Sequence, residues 1–111
     1  MTPTSRRALY RIVYPLLERP TFEVGRFVYK VIDCSERGLR YELKDRPAPA
    51  LGTPLGGMLV FRRGGSVELI GEVIRTRVGT VALALDSPGI PFAEILAEQR
   101  HLRLLGYALR D

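Results

Sequence analysis

The sequence contains very few of the residues that cross-link a chain or bind metals. It has no tryptophan, one cysteine (Cys34) and one histidine (His101) among 111 residues. A single cysteine excludes an internal disulfide and provides no metal-ligand spacing, so Cys34 is predicted to be a small apolar filler at a strand end. No apolar run approaches membrane-spanning length and the N-terminus lacks a signal-peptide pattern, so we expect a cytoplasmic protein without membrane insertion.

Patterns typical of catalysis are missing as well. His101 lies beside Arg100 and Arg103, away from any cysteine or carboxylate cluster. No Walker loop or dinucleotide-binding glycine loop is present, and the acids do not form a spaced pair suited to general acid and base catalysis. The sequence therefore predicts a binding protein that is not an enzyme and that needs no cofactor or metal.

Basic residues, in contrast, are abundant and concentrate near the N-terminus. Lysine and arginine together number 17 and the net charge is +5. Through residue 40, eight basic residues stand against four acids, whereas the rest of the chain is nearly balanced. Nearly all the basic residues are arginine, which binds phosphate in a bidentate manner, so the asymmetry indicates an anionic partner for the N-terminal third. An arginine-rich proteome would produce the same basicity without such a partner.

The length and the 46% hydrophobic content indicate one domain with its own core. Three prolines, a basic cluster and no sustained alternation predict a flexible N-terminal arm. Beyond the arm a strand-rich region is followed by one helix, from about residue 91 to about residue 105. The predicted parts are the arm (1–21), a barrel (22–86) and a C-terminal helix with a tail (87–111).

Alternating apolar residues predict the strands of the barrel. Leu39, Tyr41 and Leu43 share one face of a strand that follows a long β-rich run over residues 22–33. Gly64-Gly65 is a tight hairpin signal. Six strand-like segments without helical periods between them favour a small antiparallel barrel, because closure removes exposed strand edges. The expected fold is therefore dominated by β-structure, with the C-terminal helix covering one opening or face.

Two short motifs point to a site for phosphate and a purine. Arg7 and Arg11 form an Arg-x3-Arg pair, which chance produces about twice in a chain of this composition, so it is weak by itself. Asp33, Ser35 and Gly38 form an Asp-x-Ser-x2-Gly motif, which chance produces only about 0.014 times. The guanidinium group of arginine can form bidentate hydrogen bonds with phosphates and with guanine edges. The Asp-x-Ser-x2-Gly motif offers oxygen acceptors, a hydroxyl and backbone donors.

The order of the motifs, an arginine pair in the N-terminal segment and an Asp/Ser/Gly turn between two strands, resembles that of the PilZ domain, a bacterial receptor for cyclic di-GMP. The resemblance extends to the C-terminal helix, and it implies binding of one or two cyclic di-GMP molecules. The chain departs from the common family wording at Arg37, where a small residue is frequent, and at Cys34, where an aliphatic residue is usual.

The resemblance also implies a role for each motif residue. Arg7 and Arg11 would grip phosphate and guanine, and Asp33 would accept a hydrogen bond from a guanine N–H group. Ser35 would donate to a phosphate oxygen. Gly38 would permit either close approach of the ligand or a turn with positive φ.

Three further arginines are candidates for the same ligand. Arg6 lies beside the pair and would help to bind a second nucleotide, Arg37 lies inside the turn, and Arg40 lies on the following strand. Since these 111 residues include no output domain, we expect signalling in trans: the arm folds over the nucleotide, and the changed surface alters binding to a downstream protein. Nucleic acid is not an expected partner.

Other interpretations remain open. The basic arm can equally be a solvated terminus, and the second motif an ordinary hairpin turn. A degenerate PilZ-type adaptor would bind a protein partner without any nucleotide. A small RNA-binding barrel would stack bases on tyrosines, although the expected aromatic pairs on one strand face are missing. The tyrosines available for this last role are Tyr10, Tyr14, Tyr29 and Tyr41.

Overall fold

The computed structural model describes residues 10–107 of the chain. Within these residues there are seven strands, a 3-10 helix at Leu16–Glu18 and one α-helix. The elements are β1 (Arg11–Val13), β2 (Thr21–Val24), β3 (Phe27–Ser35), β4 (Gly38–Glu42), β5 (Pro54–Val60), β6 (Ser66–Arg77), β7 (Thr80–Leu85) and α1 (Phe92–Leu104).

Six of these strands close into an antiparallel barrel. Around the ring the order is β3, β2, β5, β6, β7 and β4, and β4 pairs again with β3. The remaining strand, β1, pairs with the second half of β3, along the edge whose first half pairs with β2. The predicted six-stranded antiparallel barrel with a C-terminal helix is confirmed, and closure satisfies strand edges that an open sheet would expose.

Alternate strand positions fill the barrel interior. The prediction that Leu39, Tyr41 and Leu43 share a face is confirmed, because all three are buried. Strand β6 follows the same rule, with Leu69 and Val73 buried in the core. Burying an aliphatic side chain of this size contributes about 1.5–3 kcal/mol, so the alternation defines which face of each strand turns inward.

The β-rich run over residues 22–33 forms two strands instead of the single predicted strand. β2 and β3 pair with each other across a tight turn at Gly25 and Arg26. Gly25 has φ of 59°, a conformation that residues with a side chain rarely adopt. Gly25-Arg26 is a weaker hairpin signal than Asn-Gly or Gly-Gly, and β-forming residues lie on both sides of it. The sequence pattern over residues 22–33 therefore predicted one continuous strand.

Part of the predicted arm belongs to the fold. The expectation that residues 1–21 contribute no core element is wrong from Arg11 onward, because β1 pairs with β3 and both Ile12 and Tyr14 are buried in the core. β2 also begins one residue earlier than the predicted barrel, at Thr21. Two buried positions flanked by prolines are too short a pattern for periodicity to detect. The rest of the arm, residues 1–9, lies outside the described residues.

Helix α1 packs against β1 and matches the predicted helix closely. Ile95 and Leu102 join the hydrophobic core, and Gly106 follows the helix with φ of 94°. The helix also carries a buried carboxylate, Glu98, that is only 2% exposed. Within residues 10–107, no helix is long and apolar enough to cross a membrane.

A buried polar cluster connects α1 to the rest of the protein. Glu98 accepts hydrogen bonds from the Tyr14 hydroxyl at 2.6 Å and from Arg63 Nε at 2.6 Å. Arg63, in the turn between β5 and β6, also bonds Glu94 of α1. Burial lowers the pKa of Arg63, but its hydrogen bonds to the two glutamates raise it overall. The cluster therefore ties the segment after β1, the β5–β6 turn and the helix together.

Candidate functional site

A cavity of about 110 Å³, here called the cleft, opens where β1, β3, β4, β6 and β7 lie side by side. Five of the predicted ligand residues line it: Arg11, Asp33, Ser35, Gly38 and Arg40. These residues come from three strands, β1, β3 and β4. The cleft therefore brings together the whole Asp-x-Ser-x2-Gly motif and Arg11 of the Arg-x3-Arg pair.

The register of the strands explains why these residues meet. Arg11 lies opposite Ser35, and Ser35 lies opposite Gly38, so three motif residues form one row across β1, β3 and β4. Asp33, two residues before Ser35 on β3, lies opposite Arg40. Arg11 reaches the second motif because β1 pairs with β3, which is the pairing that the sequence did not predict.

Small residues lie between long cationic residues in the cleft. Gly38 and Ala82 present little or no side chain, whereas Arg11, Arg40 and Arg75 each contribute a guanidinium group. The only acid that lines the cleft, within the described residues, is Asp33. Three cations against one anion, around a depression made by small residues, form a surface that attracts anions.

Asp33 already has a strong partner inside the protein. It is 4% exposed, and its Oδ2 accepts hydrogen bonds from Arg40 Nη2 at 2.6 Å and Nε at 3.1 Å. These contacts use two of the five N–H groups of Arg40, whose side chain is 39% exposed. Asp33 therefore orients Arg40, a role that the sequence analysis did not predict, and Arg40 retains donors for a ligand.

Arg75 is a cleft residue that the sequence analysis missed. Simple alternation along β6 from Leu69 and Val73 would turn Arg75 inward. The β6–β7 pairing shifts register between Val73 and Arg75, so Arg75 lies opposite Ala82 and is exposed. A β-bulge of this kind adds one residue to a strand and reverses the face of those that follow. No sequence signal marks the bulge.

The structure supports only one of the two reasons for a glycine at position 38. Its φ is not positive, so the expectation of a left-handed turn at this residue is wrong. A Cβ at this position would lie 3.4 Å from Ser35 Oγ, which is an ordinary contact distance. The missing side chain therefore leaves space in the cleft and does not relieve backbone strain.

The remaining predicted residues lie elsewhere. Arg37 does not line the cleft; its Nε donates to the carbonyl oxygen of Leu85 at 3.0 Å and fastens the β3–β4 turn to the end of β7. Arg6 and Arg7 lie outside the described residues. The structure therefore brings Arg11 and Arg40 to the cleft and gives Arg37 a structural contact.

Cys34, between Asp33 and Ser35, faces the interior beneath the cleft. It is buried, as predicted, and its sulfur lies 3.7 Å from the Tyr14 hydroxyl. Burial is the main cause that raises the pKa of the thiol to about 12, with Glu98 and Asp33 adding to it and the Tyr14 hydrogen bond opposing it. Burial and the nearby Cys34 and Glu98 likewise raise the pKa of Tyr14 far above its usual value.

Alkaline pH is expected to destabilise the protein through Cys34. The unfolded thiol ionises near its usual pKa of 9.0, whereas the folded thiol ionises near 12. Its contribution to stability is therefore full below pH 9 and is lost as the pH rises towards 12. Denaturant unfolding at about pH 8 and about pH 11 should show a loss on the order of 2 kcal/mol from this group, absent in Cys34→Ala. Equal losses in both proteins would contradict the prediction.

The tyrosines named for the RNA-binding alternative do not form a stacking surface. Tyr14 and Tyr41 are buried in the core. Tyr10 contacts Phe92 edge-on, and Tyr29 stacks on Tyr41. Base stacking needs exposed ring faces along one surface, so this arrangement does not favour that alternative.

Neither a metal-binding group of residues nor a similarity to known proteins indicates what the cleft does. In the part of the chain that the structure describes, no group of three or more histidine, cysteine, aspartate or glutamate residues is placed to hold a metal ion. No model of a known protein family matches the chain, and no curated protein matches it. The argument for function therefore depends on the residues of the cleft.

Proposed function

We propose that this protein is a bacterial, cytoplasmic receptor of the PilZ type that binds cyclic di-GMP at the cleft. One observation carries the proposal: Arg11 meets Asp33, Ser35 and Gly38, residues selected from motif order alone, in a single basic depression. An ordinary hairpin turn would account for the second motif but would not require an arginine from a separate strand beside it.

The chemistry of the cleft matches the two parts of a guanine nucleotide. Arg11 and Arg40 can each donate a pair of N–H groups to a phosphate or to O6 and N7 of guanine. The Ser35 hydroxyl supplies a donor for a phosphate oxygen. Asp33 holds Arg40 through Oδ2. Its other oxygen would accept a hydrogen bond from a guanine N–H group. Arg75 adds positive charge that the sequence motifs do not include.

The size of the cleft limits how much of the ligand it holds. Pockets that enclose drug-sized ligands measure about 300–1,000 Å³, so a cavity of about 110 Å³ accommodates one phosphate or one base edge. The rest of the nucleotide would lie across the neighbouring surface, where Arg6 and Arg7 would close over it from the N-terminal side. Closure would change the surface that a downstream protein meets.

Calorimetric titration of cyclic di-GMP into the purified protein tests the proposal. We expect saturable binding with one or two ligands per chain. Arg11→Ala should weaken binding by at least about tenfold, because a hydrogen bond to a charged group contributes about 1.5–3 kcal/mol. Arg26→Ala is the matched control, since Arg26 is exposed at the other end of β3 from Ser35. It removes the same charge and should leave binding unchanged.

Two outcomes of the titration would reject the proposal. The first is no heat and no thermal shift with folded wild-type protein. The second is an equal loss of affinity in Arg11→Ala and Arg26→Ala, which would indicate attraction of any anion by a basic protein. GTP serves as the control ligand, and it should bind at least about tenfold more weakly because it lacks the second guanine.

A protein-interaction adaptor without nucleotide is the second candidate function, and an apolar patch beside β1 favours it. Val13, Leu16 and Leu17 are 55%, 72% and 75% exposed. Adjacent exposed apolar residues commonly mark protein contacts. If the protein is a receptor, the same patch would contact the downstream protein. A pull-down that returns identical partner proteins with and without nucleotide would argue for the adaptor.

A further inference from the structure

A second cavity, of about 270 Å³, lies where the loop between β4 and β5 folds over the barrel. It shares no lining residue with the cleft. Its walls are mostly apolar and aromatic: Val24, Tyr29, Tyr41, Leu43, Arg46, Pro47, Pro49 and Leu55. We call it the loop cavity. Nothing in the proposed cyclic di-GMP function uses it.

Two stacked tyrosines form the aromatic wall of the loop cavity. The rings of Tyr29 and Tyr41 lie 4.7 Å apart between centroids at an angle of 28°. Apart from Arg46, the other residues that line the loop cavity are aliphatic or proline. An aromatic ring gains from contact with such a wall through buried apolar area and offset stacking.

Arg46 is the only charged residue that lines the loop cavity, within the described residues. Its guanidinium carbon lies 3.5 Å from the centroid of the Phe27 ring, and its Nη1 donates to the Tyr29 hydroxyl at 3.2 Å. These contacts hold the guanidinium at the rim before any ligand arrives. Its remaining N–H groups match the two oxygens of a carboxylate.

Tyr41 supplies a second polar group. Its side chain is 98% removed from solvent, with relative exposure of 2%, and its ring also packs against Phe22. Burial, and then the nearby Tyr29, raise the pKa of Tyr41 to about 12, so the hydroxyl is a donor at neutral pH. A hydroxyl donor on a residue that lines the loop cavity can serve a ligand acceptor.

We propose that the loop cavity binds a small aromatic carboxylic acid, with its ring against Tyr29 and Tyr41 and its carboxylate bonded to Arg46. The single cation of the site favours an anion, and the apolar walls favour a ring or a comparable apolar body. The volume sets the size, because about 270 Å³ is close to the lower end of ligand pockets and fits a single ring with its acid group.

Benzoate is the probe, and tyrosine ring signals are the readout. The chain has five tyrosines, so selective ring labelling gives a simple NMR spectrum. We expect saturable shifts at Tyr29 and Tyr41 below about 10 mM benzoate, the range of a weak single-ring ligand. Tyr10, Tyr14 and Tyr107 do not line the loop cavity, and their signals should stay in place.

Two comparisons make the result specific. Benzyl alcohol keeps the ring without the charge and should bind at least about tenfold more weakly than benzoate, as should benzoate to Arg46→Gln. Arg62→Gln removes an exposed arginine from the β5–β6 turn and should bind benzoate as the wild type does. The proposal fails if no saturable shift occurs, if all five tyrosines shift alike, or if benzyl alcohol or Arg46→Gln shows unchanged affinity. Because no step involves the cleft, these results are independent of cyclic di-GMP binding.

Discussion

Replacement of Arg63 by alanine is expected to lower the free energy of unfolding by about 3 kcal/mol. Arg63 donates to Glu98 Oε2 at 2.6 Å and also bonds Glu94, so it is the cation shared by two glutamates of α1. The Glu98 side chain is only 3% exposed. Without Arg63, a carboxylate stays buried with the Tyr14 hydroxyl as its remaining hydrogen-bond donor among the described side chains. Its desolvation cost is then no longer offset.

The neighbouring residue provides the control for this measurement. Arg62 has a more exposed side chain and lies 3.6 Å from Glu18 in an ion pair, so Arg62→Ala should change stability by no more than about 0.5 kcal/mol. Adding Glu98→Gln to Arg63→Ala should recover part of the loss, because the neutral amide removes the unpaired charge. Denaturant unfolding of the four proteins is the measurement. Equal stability of Arg62→Ala and Arg63→Ala would show that the buried cluster contributes nothing specific.

Gly89→Ala is expected to lower the free energy of unfolding by at least about 3 kcal/mol. Gly89 has φ of 72°, which is unfavourable for alanine, and a Cβ there would overlap the backbone carbonyl oxygen of Glu36. That oxygen already accepts a hydrogen bond from the Ile90 N–H at 2.8 Å. Because the clash is between backbone-fixed atoms, no side-chain rotation can relieve it. Thermal or denaturant unfolding measures the loss.

Gly79→Ala separates the cost of positive φ from the cost of the steric clash. Gly79 has φ of 80°, but a Cβ there meets nothing within 4 Å. This variant therefore carries only the backbone strain, about 1–2 kcal/mol. A similar loss in Gly79→Ala and Gly89→Ala would mean that the segment after β7 moves away from the β3–β4 turn at little cost. The cleft residue Ser35 lies in that turn region, so such movement would also matter for ligand binding.

The sequence predicted those parts of the fold that depend on local pattern. The helix was predicted over residues 91–105 and is observed at Phe92–Leu104, because its period and the following glycine are local signals. The inward face of β4 followed from alternation in the same way. The turn at Gly64-Gly65 was marked by its two glycines, and β5 and β6 pair across it.

Features that depend on distant residues could not be predicted. The contact of Arg63 with Glu98 joins residues 35 positions apart, and nothing in either segment indicates the other. Arg75 turns outward only because of a register shift against β7. The burial of Tyr14 depends on Glu98 and on the β1–β3 pairing. For the cleft, the motifs predicted that Arg11 lies near Asp33, Ser35 and Gly38. They did not predict that Arg75 lines the cleft, and the ion pair of Asp33 with Arg40 required the strand register.

The position of β1 outside the closed ring has a consequence for the strength of binding. Its three residues pair only with β3, so detachment of β1 would leave the hydrogen bonds among the six strands of the barrel intact. Arg11 would leave the cleft with it. The apparent dissociation constant of any ligand that needs Arg11 then equals the intrinsic constant divided by the fraction of molecules with β1 docked. Contacts that hold the docked form, such as the Tyr14 bond to Glu98, would tune affinity without touching the ligand.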